Sequence, residues 1–115
     1  MNRHQMAAAL IAAWIPLAWA HSPMSGSTPA DGARLSEPPA ELTLRFARPA
    51  RVVRVELVGA DGKAQALEIP SRDKVKELAL PVSVPGSGNY EVRWRALGAD
   101  GHAMSGTFHF SVQAP

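Results

Sequence analysis

Apolar and polar residues alternate with period two over much of the chain, and this alternation predicts strands rather than helices. Glu41-Leu42-Thr43-Leu44-Arg45-Phe46 turns Leu42, Leu44 and Phe46 to one side, the expected inward face of a half-buried strand. A second run, Arg51 to Val58, is read with Val53, Val55 and Leu57 on one face and Arg54 and Glu56 on the other. Ala64 to Ile69 is a weaker strand, and Lys74 to Leu80 another, with Leu78 and Leu80 inward. The clearest pair closes the chain: Tyr90-Glu91-Val92-Arg93-Trp94-Arg95 and Phe108-His109-Phe110-Ser111-Val112, with a nine-residue loop from Ala96 to Met104 between them. Trp94, Phe108 and Phe110 anchor that pair in the core.

Turn residues separate these runs. Ser22 to Leu35 is rich in Pro, Gly and Ser, which suggests a short edge strand followed by turns. Pro38 and Pro39 prolong the irregular stretch, and the prolines between Pro81 and Asn89 argue against a central strand there. About seven short strands in one small domain indicate an all-β antiparallel sandwich or Greek-key β-barrel.

Composition changes the picture at the N-terminus. The polar start Met1-Asn2-Arg3-His4-Gln5 is followed by an uncharged run from Met6 to Ala20. That run is shorter than the roughly twenty residues a membrane helix needs. It ends Ala18-Trp19-Ala20, a small-x-small cleavage pattern, so residues 1–20 read as a secretory signal peptide, removed on export, and residues 21–115 as the single mature domain. His21 then becomes the first residue. The 115-residue sequence has no cysteine, which excludes disulfides and thiolate metal sites. Its 12 Lys and Arg against 10 Asp and Glu leave a net charge of only +2, which does not call for nucleic acid. The arginines at 45, 48, 51, 54, 93 and 95 fall mostly at outward strand positions, where a solvated face explains them.

The candidate chemistry sits in the last loop. Asp100-Gly101-His102 puts a carboxylate and an imidazole on one turn, suited either to a metal or to acid/base work. The tetrapeptide Gly98-Ala99-Asp100-Gly101 repeats Gly59-Ala60-Asp61-Gly62, and Asp-Gly is an ordinary turn pair, so Asp100 has a purely structural reading too. His102 separates the copies, because Lys63 follows the first. A single loop histidine is more often a hydrogen-bonded surface group than a ligand. His21 alters that balance: as a processed terminus it offers an amine and a ring nitrogen that close a chelate on one ion. With Asp100 and His102 the set becomes three nitrogens and one carboxylate oxygen, which Cu(II) favours.

Taken together, the N-terminal His21, Ser27-Thr28-Pro29-Ala30-Asp31-Gly32, Leu42 to Phe46, Tyr90 to Arg95, Asp100-Gly101-His102 and Gly106 resemble the CopC-type periplasmic copper-binding proteins over essentially the whole mature chain. The resemblance implies a seven-stranded Greek-key β-barrel, cupredoxin- or immunoglobulin-like, that carries copper in the periplasm, often beside a CopD-type inner-membrane copper transport protein. It implies one Cu(II) per chain on His21, Asp100 and His102, in a monomer that is not an enzyme and serves copper transport, buffering or resistance. Some members carry a glutamate after the strand that ends here at Phe46, where this chain has Ala47-Arg48; others carry a methionine-rich Cu(I) loop, where the mature chain has only Met24 and Met104. A packing role is the expectation for both methionines.

Two other readings stay open. Copper-dependent polysaccharide monooxygenases also begin with a metal-binding histidine on a β-sandwich, although a carboxylate on the copper fills a position that oxygen chemistry needs open. A metal-free interaction module is the third. His109, between Phe108 and Phe110, points away from the core and is read as a surface histidine; Trp94 is read as core, with an indole N–H in need of a partner.

Overall fold

The computed structural model describes residues 24–113, all β-strand and connection, with no helix among them. The strands are β1 (Met24–Thr28), β2 (Ala33–Leu35), β3 (Glu41–Val58), β4 (Ala64–Ala66), β5 (Val75–Pro81), β6 (Gly88–Leu97) and β7 (Ala103–Val112). The path β1-β3-β6-β7-β2 is continuous, with β4 and β5 also paired to β3.

The two alternating runs expected as separate strands are one 18-residue strand, β3. Its first half pairs antiparallel with β1 and β5, and its second half with β6 and β4. The crossing falls at a register shift between Arg45 and Ala50, where Ala47, Arg48 and Pro49 are exposed. Pro49 suggests a break in the sequence, but a bulged, solvent-facing position asks for no ladder N–H, so the strand passes through it.

A second shift between Val52 and Arg54 reverses the inward parity. Val52, 1% exposed, therefore takes the core place expected for Val53, which is only half-buried; Val55 and Leu57 remain inward as read. The irregular N-terminal stretch holds two short strands, not one, and β2 runs parallel to β7, the exception in an otherwise antiparallel architecture.

The core gathers Leu42, Leu44, Phe46, Leu78 and Leu80 from the first part of the fold against Val92, Trp94, Phe108 and Phe110 from the second. Phe46 meets Trp94 edge-on, with centroids 5.4 Å apart, and Tyr90 stacks on Phe110 while its hydroxyl donates to the Gly86 carbonyl at 2.7 Å. Trp94 lies opposite Gly106, which leaves the indole flat against the β7 backbone. The indole N–H is buried without a partner among the described residues, contrary to the expectation that it finds one.

Candidate metal centre

The β6–β7 hairpin brings the candidate pair together. Pairing continues through Ala96–Met104 and Leu97–Ala103, so the loop is only residues 98–102, shorter than the nine residues expected. Ala96, Leu97, Ala103 and Met104 show no polar alternation, yet backbone pairing needs none. Gly98 N–H donates to the His102 carbonyl at 2.8 Å, and Gly101 N–H to the Gly98 carbonyl at 2.9 Å. Gly101 has φ of 87°, a left-handed conformation that suits glycine.

Asp100 locks this turn. Its Oδ1 accepts the His102 backbone N–H at 3.0 Å, and its Oδ2 lies 2.8 Å from His102 Nδ1. The backbone N–H of His102, and then its ring, hold the Asp100 carboxyl below the usual carboxylate range. The Asp61 turn is built alike: Gly62 has φ of 80°, Gly62 N–H donates to the Gly59 carbonyl, and Asp61 Oδ1 accepts the Lys63 N–H. Only the second copy adds an imidazole. Both side chains are open to solvent, 66% for Asp100 and 86% for His102, so a metal ion could reach them without any rearrangement of the core.

Beside the pair lies a cleft of about 230 Å³, with Ala47, Arg48 and Pro49 on one wall and Gly98, Ala99, Asp100 and Met104 on the other. The bend of β3 thus faces the β6–β7 loop. Lys74, just before β5, approaches the Ala99 carbonyl with its ammonium at 3.4 Å. A larger hollow, about 440 Å³, sits at the far end of the hairpin beside Tyr90, Glu91 and His109, and neither Asp100 nor His102 lines it.

His109 points outward as read, but its ring is engaged. Nε2 lies 3.3 Å from Glu91 Oε1, Nδ1 lies 3.7 Å from Asp31, and its backbone N–H donates to Asp31 Oδ1 at 2.9 Å. Glu91 is held below the usual carboxylate range by the side-chain hydrogen bond from Arg93, with His109 a lesser contributor. No group of three or more His, Asp or Glu among the described residues is arranged to hold a metal ion. Of the expected ligand set, Asp100 and His102 lie together on one turn, and His21 lies outside the described residues.

Residues 24–113 match the CopC domain. The chain belongs to the CopC family. It is 29% identical over 107 residues to "Copper resistance protein C" of Pseudomonas syringae pv. tomato, covering 84% of each chain. The crystal structure of CopC from Methylosinus trichosporium OB3b superposes with a TM-score of 0.69 at 26% identity, over 82% of this chain and 95% of that one. PcoC of Escherichia coli, described as a methionine-rich copper resistance protein, superposes with a TM-score of 0.58 at 21% identity, over 81% of this chain and 99% of that one, and shares the fold. The all-β, seven-stranded architecture of this CopC-family chain is the one the sequence pattern predicts.

Proposed function

We propose that this CopC-family chain is exported to the periplasm, is cleaved after Ala20, and holds one Cu(II) through the amine and ring of His21 together with Asp100 and His102. It acts as a non-catalytic carrier or buffer in copper transport or resistance, as a monomer, and passes copper to or from a CopD-type inner-membrane protein. Four donors of nitrogen and carboxylate oxygen match the tetragonal preference of Cu(II) and rank it above Zn(II).

The observation that carries this reading is the direction of β1. Met24 pairs with Phe46, and the residues that follow Phe46 form the wall facing Asp100. The antiparallel register sets the start of β1, at Met24, at that same end of the fold. His21 precedes Met24 by three residues, a reach of at most about 10 Å. Copper itself is supported by the relatives, which are named copper resistance proteins. The Nδ1 contact with Asp100 leaves His102 Nε2 exposed and free to bind, the usual division of labour in a ligating histidine.

Bound amine and imidazole must be unprotonated, and their free pKa values lie near about 7.7 to 8.0 and about 6.5. Metal binding therefore releases protons, and acid competes with the copper at its nitrogen donors. The intact mass of exported protein, with and without one equivalent of Cu(II), locates the cleavage and counts the metal together. A variant carrying one alanine ahead of His21 turns the amine into an amide and binds much more weakly. Undiminished binding by that variant overturns the terminal chelate.

A further inference from the structure

We propose that the outward face of the sheet formed by β3, β6 and β7 docks, at its loop end, on an anionic lipid surface through Arg51, Arg54 and Arg95. The face belongs to the metal-free chain and stands apart from the copper reading.

The strand register sets these three side chains on one side. Val52, Val55, Trp94 and Ala96 face the core, so the arginines between them face out, all three exposed. Arg54 lies directly opposite Arg95, and Arg51 lies opposite Leu97, nearer the loop. Directly opposed residues on antiparallel strands hold their Cβ atoms about 4.5 to 5.5 Å apart, and like charges placed so are destabilising. Arg54 reaches Glu56 at 3.3 Å, but Glu56 also lies opposite Arg93 and is shared. Arg51 and Arg95 have no hydrogen bond or ion pair among the described residues. The next strand brings them no anion, since β7 sets Ser105 opposite Arg95 and Ala103 opposite Leu97. At the other end of the same face the charges are matched, Glu91 against Arg93 and His109, and Asp31 against His109. The uncompensated cations are thus gathered near the β6–β7 loop, where an outside anion would neutralise them.

The kind of anion follows from what the face lacks. Protein interfaces are anchored by aromatic and Arg side chains in well-packed, desolvated pockets. Here Phe46, Tyr90, Trp94, Phe108 and Phe110 are all turned into the core, so no aromatic among the described residues is left to anchor a protein partner. Around the arginines, Leu97, Ala103 and Ser105 are shorter and leave the guanidinium groups reachable from the front. A surface that presents many phosphates at once satisfies such a row without a pocket, because each guanidinium forks onto phosphate oxygens and each adds its own increment within a Debye length, about 10 Å at 0.1 M salt. The contact stays in the headgroups, with no residue inserted, so it is reversible and weakened by salt. Arg95 precedes Gly98 by three residues, and docking therefore carries the β6–β7 loop to the edge of the lipid surface.

The test is sedimentation of the full mature chain, stripped of metal, with vesicles of phosphatidylglycerol and phosphatidylcholine in equal parts, against vesicles of phosphatidylcholine alone. Binding is expected to the first and not to the second, and is expected to fall as sodium chloride is raised. Arg51→Gln, Arg54→Gln and Arg95→Gln are each expected to lower the partition coefficient roughly fivefold, with circular dichroism as the check that they stay folded. Lys63→Gln removes the same charge in the turn after β3, at the far end of the hairpin, and is expected to change binding by less than about twofold. An equal loss from Lys63→Gln shows that binding follows net charge alone and overturns the docking face. Polyglutamate and inorganic phosphate form the other arms. A chain that binds polyglutamate but not the anionic vesicles has an acidic protein as its partner, and one that binds free phosphate as tightly as the vesicles takes a soluble anion; either result overturns the lipid surface. Absence of binding to the anionic vesicles at low salt overturns it as well, and none of these outcomes bears on copper.

Discussion

Adding one methyl group at Gly106 is expected to destabilise the fold through Trp94 alone. A Cβ there would stand 2.8 Å from Trp94 Cζ2, 2.9 Å from Cε2 and 3.0 Å from Nε1. Carbon atoms in contact ordinarily rest about 3.5 to 4.0 Å apart, so the indole must retreat by roughly 0.7 Å. It has nowhere to go: Trp94 is 4% exposed and Phe46 meets it edge-on at 5.4 Å. Overpacking of this kind costs about 1 to 3 kcal/mol. In a domain of this size each kilocalorie lowers Tm by roughly 4 to 8 °C. The assay is urea unfolding followed by circular dichroism, for Gly106→Ala, Trp94→Phe and the double variant. Phenylalanine removes the part of the ring that the methyl strikes, and also the indole N–H that lacks a partner among the described residues. Gly106→Ala is therefore expected to cost at least about 1 kcal/mol less in the Trp94→Phe background than in the native one, a coupling expected of touching groups. A cost below about 0.5 kcal/mol, or strictly additive effects, would refute the reasoning.

The two Gly-Ala-Asp-Gly turns supply an internal comparison for copper: Asp100→Ala is expected to weaken Cu(II) binding while Asp61→Ala leaves it unchanged, read by competition titration. The turns share the same backbone and Asp-to-N–H hydrogen bonds, so the comparison cancels the loss of the turn itself and leaves the contact of Asp100 with the His102 ring as the difference between them. Asp100 also predicts a pH dependence in the metal-free chain. Its folded pKa lies below the unfolded value near about 3.9, so its contribution is fully present above that value and is lost as pH falls through the folded pKa. Asp100→Asn is expected to flatten the acid limb of the urea midpoint below about pH 3.9; an unchanged acid limb would show that the depressed carboxyl is not coupled to folding.

The alternation of Leu42, Leu44 and Phe46, of Leu78 and Leu80, and of Tyr90 through Trp94 made the fold class and most of the core legible. Parity was lost where bulges intervene: Val53 alternates correctly with Val55 in the sequence, but the shift at Val52 and Arg54 gives the core position to Val52. No side-chain pattern announces a bulge, since it is a property of how two strands register. The hairpin loop read too long for a related reason, because Ala96, Leu97 and Ala103 pair through backbone alone. Ala64 to Ile69 read too long as well: the strand is only Ala64–Ala66, the Leu67 N–H adds one further bond to the Val55 carbonyl, and Leu67 and Ile69 pack on the core from outside any strand. At the site, spacing sufficed to put Asp100 and His102 together, two residues apart on one turn. The engagement of His109 with Asp31 and Glu91 was not legible, because those partners lie 78 and 18 residues away and only the fold unites them. Arg48 likewise read as one more outward arginine until the bend of β3 set it across from Asp100.

That bend has a mechanical meaning. One polypeptide segment belongs to both halves of the fold, so neither half can slide or tilt without torque at Ala47, Arg48 and Pro49, the wall of the cleft. The cleft therefore gauges the angle between the two halves. Hydrogen exchange along β3 should therefore be slow on either side of the crossing, where Leu44 and Val52 are buried, and faster at the exposed residues between them, so that the strand acts as two stiff arms joined at one elbow.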